Sequence, residues 1–307
     1  MRFRPTRASD LRALYEVWRA AAHLGRADTP PADAVLPLFR HQLATGSSWV
    51  AEEADGLAGY AASFTRGGVA FLSDLFVVPA RQSRGIGAAL LDRALPSSGG
   101  TRCTMSSLDP RALAVYARAG VRPRWPHLLL ASTAPDFTAL PGADIAVAPA
   151  DAGDPAFVEW DARIGGRLRP DDHAFWREIG GVPLWFTRGG VRVGYGYVYA
   201  WPGIVPRGPE ARLGPLGAES AEDTAPCVGA ALRWVGGSLI PGRDPNPAPG
   251  GWTYLVAVPA AHLALEPLLG ARFRILGMEI FCSSQADPFC DLRAYLALAG
   301  PEGTSIF

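Results

Sequence analysis

The sequence contains no lysine, so all 29 of its basic residues are arginine. That excludes a Schiff-base lysine and the phosphate-gripping lysine of a Walker-type loop. Cysteine is scarce: Cys103, Cys227, Cys282 and Cys290 form no CxxC pair and no zinc-ligand spacing, so no metal is expected. His23, His41, His127, His173 and His262 complete neither an HExxH motif nor a Ser/His/Asp arrangement. No apolar run approaches the 18 or so residues of a membrane span, and no membrane partner is expected. The opening Met1-Arg2-Phe3-Arg4 is polar, unlike a secretory leader, so the expected compartment is the reducing cytoplasm. A net charge of zero gives no reason to expect a nucleic-acid partner.

Alanine, glycine and proline are abundant, the signature of a GC-rich coding bias. The 307 residues suffice for two domains. Residues 1–140 carry 16 Arg against 11 acids (+5), and residues 141–307 carry 13 against 18 (−5). A basic first half suits a polyphosphorylated ligand. Two solvated, complementary surfaces account for the asymmetry equally well.

Hydrophobic periodicity and turn residues give the same element order twice: strand, two helices, three strands, helix, strand, helix, strand. The pattern begins near Arg2 and restarts near Asp144, after a Pro-containing stretch. This predicts an internal duplication: residues 1–135, a linker over 136–143, and residues 144–307. Two Pro/Gly-rich stretches, 201–209 and 236–251, have the length of binding loops or lids.

One segment carries chemistry. Phe71–Val78 is an apolar strand that runs through Pro79-Ala80-Arg81-Gln82-Ser83-Arg84-Gly85-Ile86-Gly87 into a helix opening at Ala88. Glycines let the backbone approach a ligand closely. Free N–H groups and the dipole at the helix start make an anion site, to which Arg81 and Arg84 add charge. A pyrophosphate fits that arrangement.

Gln82-Ser-Arg-Gly85-Ile-Gly87 resembles the acetyl-CoA signature Gln/Arg-x-x-Gly-x-Gly/Ala of the GNAT N-acetyltransferases. The flanking Leu75–Pro79 and Ala88–Leu95 resemble that family's fourth strand and third helix. A further stretch, Leu108-Asp109-Pro-Arg-Ala-Leu-Ala-Val-Tyr116-Ala-Arg-Ala-Gly120, is similar to its fourth helix. The resemblance implies an α/β fold of two tandem domains, each a mixed, mostly antiparallel sheet flanked by helices. It implies acetyl-CoA as acyl donor, held by Phe76, Val77, Val78, Arg81, Gln82, Ser83, Arg84, Gly85, Ile86, Gly87 and Ala88. The backbone of Phe76 and Val78 would grip the pantetheine, and an N–H near Val78 would polarise the thioester carbonyl. Tyr116 would be the general acid on the departing thiolate and Asp74 a candidate base, with Glu52 and Glu53 behind it. Asp109 stands where relatives have Asn facing the pantetheine, and a carboxylate cannot donate there.

In the second half, Arg212–Ala218 occupies the fourth-strand position, but Glu219, Glu222 and Asp223 replace the glycine loop. Acids at a helix start satisfy its dipole internally and repel a pyrophosphate. The second half is therefore expected to be degenerate, binding coenzyme A poorly or not at all. Its Trp176, Trp201, Tyr195, Tyr197, Tyr199, Asp171 and Asp172 suit either a cationic amine or an ordinary core. His23 lies where the family's first two helices frame the acceptor. The expected activity is acetyl, or other short-acyl, transfer to the amine of a small molecule, with secondary metabolism as the setting. Two rivals stay open: a non-catalytic acyl-CoA sensor, and catalysis housed in the second half. Because the anion site is local, residues 1–135 are expected to bind coenzyme A alone.

Overall fold

The structure, a computed structural model, describes residues 1–23, 31–95, 100–151, 153–201, 209–240 and 251–299. The first half comprises β1 (Arg2–Pro5), α1 (Leu11–Trp18), α2 (Ala32–Thr45), β2 (Ser47–Glu53), β3 (Gly56–Arg66), β4 (Val69–Val77), α3 (Ile86–Ala94), β5 (Thr101–Ser106), α4 (Pro110–Arg118) and β6 (Arg122–Ser132). The second comprises β7 (Ile145–Pro149), α5 (Pro155–Ile164), α6 (Pro170–Glu178), β8 (Val182–Arg188), β9 (Val191–Trp201), β10 (Glu210–Ala218), α7 (Ala221–Trp234), β11 (Thr253–Pro259), α8 (Leu265–Gly270), β12 (Arg274–Ser283) and a short β13 (Tyr295–Leu296).

Local chemistry sets the helix starts. Asp109 caps α4 by accepting from the Arg111 N–H at 2.9 Å, and Pro110 fills the first helical position. Asp154 with Pro155 opens α5 in the same way, and Ser220 caps α7. In each case the cap oxygen satisfies a backbone N–H that the helix itself cannot.

Each half is a mostly antiparallel sheet flanked by helices, yet the two sheets are one. The strand order is β1-β2-β3-β4-β5-β12-β6-β11-β10-β9-β8-β7. Read inward from the left, five strands of the first half end on β12 of the second. Read inward from the right, five strands of the second half end on β6 of the first. The halves have exchanged their last long strands about a pseudo-twofold at the antiparallel β6–β12 pair. The duplication is thus present, with a continuous ladder running through it.

Helices cover both faces. Leu14, Tyr15 and Trp18 of α1 pack with Val35 and Phe39 of α2 and Tyr60 of β3 on one face of the first half. Ile86, Leu90 and Leu91 of α3 and Tyr116 of α4 cover the other. In the second half the α5/α6 face holds Phe157, Phe175, Trp176, Tyr195, Tyr197 and Tyr199. Of these, Trp176, Tyr195, Tyr197 and Tyr199, weighed above as a possible amine pocket, are core. Asp161 is buried among them with Arg169 at 2.6 Å, His173 at 3.0 Å and the Tyr195 hydroxyl at 2.5 Å. The side chains of Trp201 and His23 and most of the two Pro/Gly-rich stretches lie outside the described residues.

Candidate active site

The site is created where β4 and β5 part. They pair in parallel only from Val69–Thr101 to Leu72–Thr104. At that point β4 carries an extra residue, Ser73, against β3: Leu72 faces Ser63 and Asp74 faces Ala62. A bulge bends its strand and re-aims the side chains that follow. Beyond it lies a cavity of about 670 Å³ lined by Leu75, Phe76 and Val77, by the loop from Arg81 to Ala88 (Arg84 apart), and by Ser107, Asp109, Arg111 and Tyr116.

The glycine loop opens as its sequence demands. Gly85 is left-handed, with φ of 80°, and is the N-cap of α3. Ser83 also has positive φ, at 61°. The Gly85 carbonyl accepts from Ala89, so the N–H groups of the first helical turn have no intrahelical partner and point out of the helix end. A Cβ at Gly85 would meet nothing within 4 Å, and one at Gly87 only Val77 Cγ2 at 3.9 Å. The backbone is bare where an anion would sit. Arg84 is exposed beside it. Arg81 is turned aside, its Nε donating to Glu53 at 2.7 Å.

Two expectations are corrected by the geometry. The Val78 N–H donates to Ala58 O at 2.9 Å, so it is committed to the sheet and cannot polarise a thioester. Alternation along the strand sends the Phe76 backbone toward β3 as well, leaving the N–H and C=O of Leu75 and Val77 toward the cavity. The Val77 carbonyl is met on that side by Gln82 Nε2 at 3.0 Å. Gln82 Oε1 in turn accepts from Arg111 Nη1 at 2.9 Å, and Arg111 is bidentate on Asp109, Nε on Oδ1 and Nη2 on Oδ2. Asp109 therefore serves as helix cap and ion-pair partner, and the Gln82–Arg111–Asp109 chain forms a polar strap along the cavity lining.

Tyr116 is buried and lines the cavity from α4. Burial, then the proximity of Cys282 and of Asp74, raises its phenol pKa, so the hydroxyl keeps its proton. Asp74 points to the α1/α2 face with Phe76, directly behind the cavity wall, and is buried. Desolvation pushes its carboxyl up to about 6, against hydrogen bonds from Gln42 and Tyr60 that lower it. Gln42 Nε2 lies 2.5 Å from Asp74 Oδ2 and the Tyr60 hydroxyl 3.4 Å. Neither Gln42 nor Tyr60 was singled out from sequence. Glu52 is held by Arg4 at 2.8 Å, and Glu53 by Arg81, both away from this point.

The equivalent cleft of the second half is closed by its own chain. β10 and β11 pair in parallel only from Glu210–Thr253 to Arg212–Leu255, then part. Residues 294–299 run antiparallel along β10 in the gap. Leu216 and Gly217 pair with Leu296 and Tyr295, Ala218 N–H donates to Ala294 O, and Ala299 N–H to Leu213 O. A peptide strand thus makes the bonds an extended ligand arm would make. Titration calorimetry is expected to give one acetyl-CoA per chain, and a second site of similar affinity would contradict the blockage.

Residues 44–123, within the first half of this chain, match the family model "Acetyltransferase (GNAT) domain". No curated protein matches the sequence. Among solved structures, a Pyrococcus horikoshii protein assigned provisionally as an acetyltransferase is 16% identical, with 98% of this chain and 95% of that one covered at a TM-score of 0.70. A tandem GNAT protein from the clavulanic acid biosynthesis pathway is 17% identical over 94% and 99%, at 0.61. The GCN5-related N-acetyltransferase of Sphaerobacter thermophilus is 14% identical over 95% and 98%, at 0.58. The chain as a whole has the tandem GNAT fold. Among the described residues no helix is long and apolar enough to cross a membrane, and no group of side chains could hold a metal ion.

Proposed function

We propose that the chain transfers an acetyl, or another short acyl, group from acetyl-CoA to the amine of a small molecule. The observation that carries this reading is the open β4–β5 cleft ending on the bare N-terminus of α3. The pyrophosphate would lie on the N–H groups of Gly85, Ile86, Gly87 and Ala88 with Arg84 beside them. The pantetheine would add to β4 through the Leu75 and Val77 backbone, which requires the Gln82–Arg111 strap to open. A cavity-facing N–H would polarise the thioester carbonyl.

The neutral amine attacks that carbonyl, forming the C–N bond as the C–S bond breaks. The amine proton passes through water to Asp74, which lies behind the cavity wall, and the thiolate takes a proton from Tyr116. A carboxyl of pKa about 6 is mostly ionised at neutral pH, so turnover should rise as pH passes through 6. The closed second cleft favours donor chemistry in the first half.

The test is release of coenzyme A thiol from acetyl-CoA across an amine library, with Tyr116→Phe as the discriminating variant. We expect its turnover to fall about a hundredfold or more, within the usual range for general acid catalysis, with acetyl-CoA affinity unchanged. Binding without turnover on any amine, unaffected by Tyr116→Phe, would favour an acyl-CoA sensor instead.

A further inference from the structure

The candidate base is held by a residue of α2, and α2 is held by the second half. Gln42 is buried, and its Nε2 donates both to Ser73 Oγ, on the bulge residue, at 2.7 Å and to Asp74 Oδ2 at 2.5 Å. One amide group therefore fixes the bulge and the carboxylate beside it. Its neighbour on the helix, His41, reaches the other way. His41 Nε2 lies 2.8 Å from Asp172 Oδ1 of α6, and its ring stacks on Phe175 at 4.5 Å and 7°.

Asp172 is buried and also receives Arg66, from Nη2 at 2.9 Å and from Nε at 3.1 Å. The same guanidinium donates from Nη1 to Thr45 O at 3.0 Å and from Nη2 to Thr45 Oγ1 at 2.8 Å. The last turn of α2 is thus clamped at His41 and Thr45 to a single carboxylate of the second half. Gln42 sits inside that turn.

We propose that Gln42 is the positioning residue for the Asp74 carboxylate, and that Asp172 of the second half sets the position of Gln42 through α2. Short hydrogen bonds to an ionised carboxylate are strong and directional, and their geometry depends on where the donor's backbone is fixed. The other titratable groups near Asp74 are Tyr60 of β3, which hydrogen-bonds to it, and Tyr116 of α4, whose phenol pKa the Asp74 charge raises. α1 presents Leu14, Tyr15 and Trp18 to this face.

The role of this network in turnover rests on Asp74 being the proton acceptor, whereas its effect on the Asp74 carboxylate does not. The experiment therefore reads the carboxylate directly. Carbon-13 NMR of aspartate-labelled full-length protein, with the Asp74 resonance assigned by Asp74→Asn, gives its titration midpoint without any acceptor. Gln42→Met keeps the volume and removes the donor, and should raise the midpoint above the wild-type value. His41→Phe keeps the stack on Phe175 and removes the bond to Asp172. It should raise the midpoint by a smaller amount, as should Asp172→Asn if that variant folds. Thermal melts alongside separate loss of stability from loss of positioning. A Gln42→Met midpoint equal to wild type would overturn the proposal. An unchanged midpoint in folded His41→Phe would overturn the part assigned to the second half. If the midpoints move as expected but Asp74→Asn retains full turnover, the positioning stands and Asp74 is not the base.

Discussion

Replacing Gly87 by glutamate is expected to weaken acetyl-CoA binding by about a hundredfold or more while the protein stays folded. Gly87 has an ordinary φ, and a Cβ there meets only Val77 Cγ2 at 3.9 Å, so the fold tolerates a side chain. The ligand does not. A carboxylate at the first turn of α3 takes the helix-end N–H groups for itself and repels a phosphate. Hydrogen bonds to charged groups are worth about 1.5–3 kcal/mol each, and each 1.4 kcal/mol is tenfold in affinity, so the loss of two such contacts already gives the stated effect. Gly85 is a less clean position, because its φ of 80° would cost a side chain about 1–2 kcal/mol in the backbone alone. Calorimetry on Gly87→Glu, with Gly87→Ala as control, reads the difference. Near-wild-type affinity in the glutamate variant would show that the phosphates do not lie on α3.

Much of this site is local, which is why it was legible in the sequence. A strand, a glycine loop and a helix that follow one another directly must meet at the helix end, and the same holds for Asp109, Pro110 and Tyr116 along α4. What the sequence did not reveal depends on partners far along the chain. The period-2 pattern of β12 says which side chains share a face, and nothing about which strands flank it, so its place between β5 and β6 was not foreseen. The two-residue β13 is too short for any pattern, yet it closes the second cleft. The choice of Val77 over Val78 turns on hydrogen-bond parity after the Ser73 bulge, and a bulge of one Ser has no sequence mark. Gln42 did leave a trace: a polar residue at helical spacing from Leu38 and Phe39. The trace acquires meaning only once Asp74 is known to lie opposite.

The exchanged strand also reverses one expectation, that residues 1–135 would bind coenzyme A alone. Expressed by itself, that segment is expected to be insoluble or to lack a cooperative unfolding transition, and to bind no acetyl-CoA. The anion site is local, but the sheet that carries it is not. Without β12, the end of β5 from Cys103 to Ser106 loses its partner, and β6 loses its neighbour from Arg122 to Ala131. With β11 absent as well, β6 has no sheet neighbour at all, and unpaired strand edges invite association. Phe281 and Cys282 are fully buried and leave with the strand, and Phe281 stacks on Trp125 at 4.4 Å. Deleting one buried Phe side chain costs about 3–5 kcal/mol, against a net stability of about 5–15 kcal/mol for a folded domain. Loss of the whole strand, and of Asp172 beneath His41 and Arg66, exceeds that margin. The informative experiment co-expresses residues 1–135 with residues 136–307 as separate chains. The pair should assemble, because each fragment supplies the strand the other lacks, and acetyl-CoA binding should return at one per pair. A soluble, monomeric 1–135 with a sharp melt and full affinity would show that β12 is dispensable to the donor site, and that the exchange holds the halves together without building either.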